Sequence, residues 1–569
     1  MRNCLSRIGA AALLLLALCG LAAAQAPDRL RVQLMWYHQA QFAGFYLAEA
    51  LGYYEAEGLA VELLEGGLDK SPIGALASGE AEVAMSWLPA AVAARGEGLP
   101  VVNVAQLFAR AGTMILCRRD AGIRVAADVA GKRFGVWNVG DELDLRFWLG
   151  EQGLTLADVE IVIQQPNGVD LVTGVVDCAM AMTYNEYWRV LRAGLSPADL
   201  LVVRLADEGL GFLEDGLYVL EESLADPAEA ERLARFLRAT VAGWQYARDN
   251  PEEALAVTLL RARGLDPLHQ RSMLEAVLRL LGPGDRLGLL ELTSLERSLA
   301  VIRGASGSRE EVDAAQEPIW THRLWYLSGL GERGLLEPTL ATRHYLVRAV
   351  TSPWFYGLTL LGTAAFALSG FMRAQQRNYD LWGAFMLAMM PALGGGTLRD
   401  LLIAGDRHPP FIFQDAAYIA VVLSMVAIGA VAARFTHANL VDSPPFTRAK
   451  ALFDMVGMAT YAAIGAQVAI LADLAWIWAP FCAALTCAGG GMLMDVITGQ
   501  EPRTFQGVPY EEIAVGGGLV LLLGLELANA WEHQGWLVGA SLLTAMAFVF
   551  GVRLWCLRHG VTSWRVGAR

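Results

Sequence analysis

The chain has 569 residues, 55% of them hydrophobic, with a mean hydropathy of +0.39 and 58 acidic against 44 basic side chains, a formal net charge of −14. It is too apolar for a purely soluble protein and too charged in places to lie wholly in a bilayer, and its length allows two to four domains. The acidic balance argues against a nucleic-acid surface.

The N-terminus carries Arg2 and Arg7, an apolar run from Ile8 to Leu21, and the small residues Ala22-Ala23-Ala24. A basic start, a short apolar core and a small-residue break predict a secretory signal peptide over 1–24. A lipid anchor at Cys19 is disfavoured because the bulky Leu18 precedes it. Export would place the next 300 or so residues (roughly the span before the membrane segments) outside the cytoplasm. Seven cysteines set no disulfide framework: Cys4 and Cys19 go with the signal, and Cys482, Cys487 and Cys556 fall in apolar segments. That leaves Cys117 and Cys178, which are read as buried free thiols.

Short apolar runs then alternate with amphipathic stretches. Strands are predicted at Leu30–Leu34, Ala60–Leu64, Val83–Met85, Val101–Ala105, Arg133–Val136, Ile161–Ile163, Ala179–Met182 and Leu201–Val203. Helices are predicted at Phe42–Glu57 and Ser71–Ser78, and the text after Pro227 is mostly helical. Such alternation predicts parallel α/β layers with a ligand crevice at the carboxyl ends of strands. Trp36, Tyr37, Trp87, Trp137 and Tyr184 sit at predicted strand ends, where aromatic faces can stack on a flat ligand. His38, Gln39, Asn138, Asn185 and Glu186 can orient it by hydrogen bonds. The predicted ligand-binding set is Trp36, Tyr37, His38, Gln39, Trp87, Asn138, Asn185 and Glu186, with Trp137 and Tyr184 as weaker members that can equally pack the lobes. The eight histidines show no paired spacing, so no metal site and no cofactor is expected.

The segments Trp36 to Tyr46, Ala48 to Leu59, Leu76 to Ala84, Gly131 to Val136 and Ala179 to Glu186 resemble periplasmic solute-binding proteins related to the thiamine-pyrimidine-precursor and alkanesulfonate binders. The resemblance implies two α/β lobes, a hinge and a closing cleft for a small molecule, pyrimidine-like or amino-acid-like. The cysteine-rich motif of pyrimidine-making relatives is not visible, so no enzyme activity is expected.

Seven apolar segments of spanning length follow: Phe355–Met372, Leu381–Ile403, Ala417–Ala433, Leu452–Leu471, Ala475–Ile497, Ile513–Leu527 and Leu537–Leu557. The basic flanks Arg373 to Arg377, Arg434 to Lys450 and Arg553 to Arg569 fall on one side, which predicts a cytoplasmic C-terminus. Gly394-Gly395-Gly396-Thr397-Leu398-Arg399-Asp400 recurs 95 residues later as Gly489-Gly490-Gly491-Met492-Leu493-Met494-Asp495, and the same register aligns Gly362 with Gly457, Phe366 with Tyr461 and Gly370 with Gly465. A three-helix unit repeated once must insert in opposite orientations, and inverted repeats place their sites at the repeat interface. Three glycines weaken a helix by about 1 kcal/mol each and let it break or bend; packing of small residues between helices is the bland alternative. The predicted path residues are Gly394, Gly395, Gly396, Arg399, Asp400, Gly489, Gly490, Gly491 and Asp495, the two carboxylates because charge inside a membrane is costly and defaults to function. Glu526 and Asp454 have no acidic repeat partner and are read as helix-end charges.

Gly362 to Gly370, the Gly394-to-Asp400 motif and His408-Pro409-Pro410-Phe411 resemble the TRIC family of trimeric cation channels, most closely its bacterial branch, whose repeat is called a glycine-transporter domain. The resemblance implies glycine-kinked second and fifth helices around a pore, a monovalent cation as partner and a homotrimer. Met494 stands where that family commonly has an arginine. The expected fold is therefore an α/β two-lobed periplasmic-binding-protein domain followed by an all-α membrane domain of about seven helices, two inverted three-helix repeats plus one. Boundaries are expected at 28–335 for the exported domain, 336–353 for a linker, 354–449 and 450–532 for the repeats, 533–557 for the last helix and 558–569 for the tail. No nucleotide-binding glycine loop is visible. The expected function is an inner-membrane protein whose exported domain captures a small molecule and delivers it to the pore. The alternative is a ligand-gated monovalent cation channel.

Overall fold

The computed structural model describes residues 27–137, 143–306, 319–331, 333–403, 409–435, 443–502, 507 and 509–563. The expected signal peptide, Asn138 and His408 lie outside them. The chain divides into two compact units between residues 332 and 333.

The first unit is built on two five-stranded sheets. Strands β1 (Asp28–Gln33), β2 (Leu59–Leu64), β3 (Val83–Ser86) and β4 (Val101–Gln106) precede β5 (Thr113–Arg118), β6 (Arg133–Val136), β7 (Glu160–Ile163), β8 (Cys178–Met182), β9 (Leu200–Arg204) and β10 (Gly216–Leu220). Their orders are β2-β1-β3-β10-β4 and β7-β6-β8-β5-β9. Each sheet is mixed rather than parallel throughout, because β10 and β5 are inserted antiparallel to their neighbours. The sequence reading missed these two strands. They are the elements that follow each passage of the chain from one sheet to the other, across residues 107–112 and 205–215.

The predicted helix Phe42–Glu57 is instead α1 (Ala43–Ala50), preceded by a 3-10 turn and followed by a break at Gly52, whose φ of 72° only glycine adopts at no steric cost. Helix α2 (Glu186–Arg192) follows β8. Helix α3 (Pro227–Asp249) starts on Asp226, which accepts from the Ala228 N–H, with Pro227 at its first position. It packs on α1 with Trp244 edge-on to Phe45. Helix α4 (Pro267–Leu280) begins the same way on Asp266. Cys117 and Cys178 are not free thiols: they sit opposite each other on β5 and β8 and form a disulfide. The register that brings them together depends on a strand the sequence did not reveal.

In the second unit, residues 336–353 are not a plain linker but hold α5 (Leu340–Thr351), capped by the Thr339 side chain. Then come α6 (Pro353–Gln376), α7 (Leu381–Ile403), α8 (Ala416–Ala433), α9 (Pro444–Leu471), α10 (Trp478–Ile497), α11 (Glu511–Asn529) and α12 (Trp536–His559). Among the described residues six of these are long and apolar enough to cross a membrane. The exception is α11, which is 19 residues long and carries Glu511, Glu512 and Glu526. The core is rich in alanine, and buried glycines such as Gly370, Gly465 and Gly490 let backbones approach closely. Helix α7 contains a π-type turn over Met390–Gly394, where Pro391 withholds an N–H. Helix α10 runs unbroken through its own three glycines, so the expected break occurs in one repeat and not the other.

Candidate functional site

In the first unit a cavity of about 350 Å³ opens between aromatic and carboxylate side chains. Trp36, Trp87, Trp137, Tyr184 and Phe212 supply its rings. Trp87 and Trp137 meet edge-on with centroids 6.3 Å apart. Among the described lining residues Lys70 is the sole cation, against the carboxylates Asp144 and Glu186.

The polar side chains of the wall are fixed by one another. Gln39 Nε2 donates to Gln41 Oε1 at 2.7 Å, and Gln41 Nε2 donates to Asp215 Oδ2 at 2.6 Å. Trp87 Nε1 donates to Asp215 Oδ1 at 3.1 Å. Asp215 is fully buried and holds a left-handed backbone (φ 50°), a conformation Asp tolerates better than most residues. Burial pushes its carboxyl up to about 6, against the opposing pull of the Gln41 and Trp87 hydrogen bonds. Next to it Glu214 accepts from the N–H groups of Gly112 and Thr113 and from the Thr113 hydroxyl, which ties the two sheet-to-sheet passages together.

On the other side, Glu186 accepts from the Met182 N–H at 2.9 Å and from Asn185 Nδ2 at 3.0 Å. Burial pushes its carboxyl up to about 7. Asn185 Oδ1 accepts from Arg189 and lies 3.0 Å from His269 Nε2 on α4. Burial, with Arg189 and Arg192 nearby, lowers His269 to about 4, so the ring is neutral and donates through Nε2.

Of the expected ligand set, Trp36, Gln39, Trp87, Asn185 and Glu186 line this cavity, as do Trp137 and Tyr184. Tyr37 and His38 do not. Tyr37 is 46% exposed, and His38 is held by the Tyr46 hydroxyl at 2.9 Å and by its own N–H to Glu65. Gln41, Lys70, Asp144, Phe212 and Asp215 were missed. Gln41 stood inside a motif already singled out, whereas Asp215 acts through partners more than 100 residues away, which no local pattern announces.

In the second unit the glycines lie where α7 crosses α10. A Cβ on Gly394 would stand 3.1 Å from Gly490 Cα, and one on Gly489 would stand 3.3 Å from Gly395 Cα. One on Gly370 would strike the Leu387 carbonyl, and one on its counterpart Gly465 would strike the carbonyl of Cys482, the counterpart of Leu387. Phe366 and Tyr461, also counterparts, meet edge-on at 5.0 Å. The 95-residue repeat is thus a spatial pseudo-twofold.

Two cavities flank the crossing, of about 150 and 250 Å³. Thr359, Gly396, Arg399, Tyr461, Ile464 and Val468 line the first. Their counterparts Asp454, Gly491, Met494, Phe366, Ser369 and Arg373 line the second. Thr486 in the first answers to Pro391 in the second. Asp454, read as a helix-end charge, and Arg373, read as a loop flank, are both cavity walls. Arg399 and Asp400 form a buried pair at 2.6 Å, and the Phe411 N–H donates to the other Asp400 oxygen. Arg373 reaches Asp495 at 3.4 Å.

A family model described as Glycine transporter matches residues 356–435 and 451–526. The UPF0126 membrane protein of Deinococcus radiodurans is 31% identical over 217 residues, which is 38% of this chain and 93% of that protein. Through this half the chain belongs to the UPF0126 membrane-protein family. The UPF0126 half is also similar to the TRIC trimeric intracellular cation channel orthologue from Rhodobacter sphaeroides, at 23% identity and a TM-score of 0.32, covering 37% of this chain and 100% of that one. The first unit matches a family described as NMT1/THI5 like over residues 39–254. The formylaminopyrimidine-binding protein of Halalkalibacterium halodurans is 27% identical over 237 residues, 41% of this chain and 71% of that protein. The chain thus joins an NMT1/THI5-like domain to a UPF0126 membrane domain, a combination that supports a membrane transport or channel role.

Proposed function

We propose that this chain is a receptor joined to its own membrane path. The first unit captures a small planar nitrogen heterocycle and hands it to the second unit, raising the local concentration at the path entrance. The observation that carries this reading is the cleft itself. Flat aromatic walls favour a ring, and Asp144, Glu186 and the Gln39–Gln41–Asp215 chain favour a ligand that donates hydrogen bonds over one that brings negative charge. An amino-substituted pyrimidine has that character, and the name of the Halalkalibacterium relative supports it.

In this reading the first unit is exported, the C-terminus is cytoplasmic, the membrane is the bacterial inner membrane and the assembly is a homotrimer. The Cys117–Cys178 disulfide supports export, since such bonds persist in oxidising compartments. The one-sided basic flanks support the orientation.

A second reading is favoured by the crossing. Gly394 and Gly490 meet backbone to backbone, a closed arrangement that suits a gate for ions better than an opening for a heterocycle. In that case the captured ligand shifts the gate and never crosses. Proteoliposomes loaded with the full chain separate the two. Uptake of labelled aminopyrimidine supports the receptor-permease, and potassium flux that rises with aminopyrimidine while the label stays outside supports the gated channel. Absence of both fluxes rejects the fused-path idea.

A further inference from the structure

The two cavities beside the glycine crossing are related by the repeat, but their arginines are not. Arg399 lines the first cavity, and the position equivalent to it in the second is Met494, which brings no charge. Arg373 lines the second, and the position equivalent to it in the first is Val468. Each cavity therefore keeps a guanidinium beside the motif carboxylate, drawn from α7 in the first and from α6 in the second.

Asp495 is nearly buried, and an uncompensated carboxylate inside an apolar helix bundle is costly. With methionine at 494, the compensating cation has to come from another helix. Arg373 Nη1 lies 3.4 Å from Asp495 Oδ1 and also 3.4 Å from Met494 Sδ, so it occupies the space beside the side chain that replaced the arginine. The second pair is also built differently. Arg399 grips one Asp400 oxygen through both Nε and Nη2, at 2.9 and 2.6 Å, while the second Asp400 oxygen is taken by the Phe411 N–H. Arg373 approaches Asp495 only to 3.4 Å, and 16% of its side chain is exposed. The second cavity further holds Asp454 with Arg553 at 3.9 Å, where the first has uncharged Thr359 in place of Asp454.

We infer that Arg373 replaces the arginine missing at position 494, and that the Arg373–Asp495 pair is a selectivity-determining charge pair of the path, in series with Arg399–Asp400 on the far side of the glycine crossing. Small ions passing the crossing meet two guanidinium–carboxylate pairs, a tight one and a looser one. The inference rests on reading the second unit as an ion-conducting path.

The test transposes the charge. Full-length protein in planar bilayers under a KCl gradient reports the potassium-over-chloride permeability ratio from the reversal potential. Arg373→Val leaves Asp495 without its guanidinium and is expected to raise the ratio roughly tenfold, a modest share of the interaction of charges 3–4 Å apart in protein. Adding Met494→Arg to that variant returns the cation to the motif position and is expected to restore the ratio; Arg373→Lys keeps it near wild type. An unchanged ratio in Arg373→Val, while Arg399→Val alters it, overturns the inference and leaves the path reading standing. A wild type that passes neither ion overturns both. If Arg373→Val fails to fold and the double variant folds without recovering the ratio, Arg373 is a structural counter-ion only and the inference falls.

Discussion

Gly394 and Gly490 meet with no side chain between them: a Cβ on Gly394 would lie 3.1 Å from Gly490 Cα, and one on Gly490 would collide with the Met390 carbonyl oxygen. Gly491, one residue on, has nothing within 4 Å of its Cβ position and faces the second cavity. Gly490→Ala should therefore destabilise the unit by about 1–3 kcal/mol or more through overpacking, whereas Gly491→Ala should be nearly neutral for stability. Thermal unfolding of the two variants in detergent checks this. Equal losses would mean that the crossing relaxes without cost.

That contrast also marks what the sequence made legible. An ungapped 95-residue register with Gly394, Gly370 and Phe366 matched to Gly489, Gly465 and Tyr461 is enough to announce the pseudo-twofold, because close backbone approach admits only glycine. Arg373 was hidden because it heads a basic run that reads equally well as a membrane flank. Strand β5 was hidden because Thr113–Cys117 is a short apolar run with no alternation to give a period. Strand β10 was hidden because it runs straight into a helix at Glu221 with no turn residue between. Without those strands neither the sheet-to-sheet passages nor the cysteine pair could be placed.

Glu186 gives the first unit a pH signature. Burial holds its carboxyl near 7 against an ordinary value of 4.5, so between those values the folded protein keeps a proton that the unfolded chain has released. Its contribution to stability is full below pH 4.5 and is lost as pH rises through 7. Relative to Glu186→Gln, which cannot titrate, the wild type should lose on the order of 2–3 kcal/mol between pH 4.5 and 7.5. Denaturant unfolding of both proteins across that range measures the difference. A constant offset would show that Glu186 stays ionised in the folded state.

The Cys117–Cys178 disulfide closes a loop of 61 residues, so removing it should cost about 2–4 kcal/mol, most simply read as a gain in unfolded-chain entropy. The Cys117→Ser/Cys178→Ser variant should unfold at lower denaturant than the wild type. Thiol alkylation of protein taken directly from cells should leave both residues unlabelled. Labelling of Cys117 and Cys178 in cells would place the unit in a reducing compartment and remove a support for export.

In the proposed receptor, Trp87 makes two contributions to ligand binding that a pair of variants can separate. Its ring forms part of the aromatic wall beside Trp137, and its Nε1–H holds Asp215 in place together with Gln41. Trp87→Phe keeps a face for stacking but leaves Asp215 with one side-chain donor instead of two. A hydrogen bond to a charged group is worth about 1.5–3 kcal/mol, but Gln41 remains and the effect on the ligand is indirect, so aminopyrimidine affinity should fall by about tenfold at most. Trp87→Ala also removes the ring, and the further loss of stacking and apolar contact should bring the total to about a hundredfold or more. Calorimetric titration of the full-length protein with an aminopyrimidine measures both. If Phe and Ala are equally harmful, the indole N–H rather than the ring is what the cleft needs, and the ligand need not be flat.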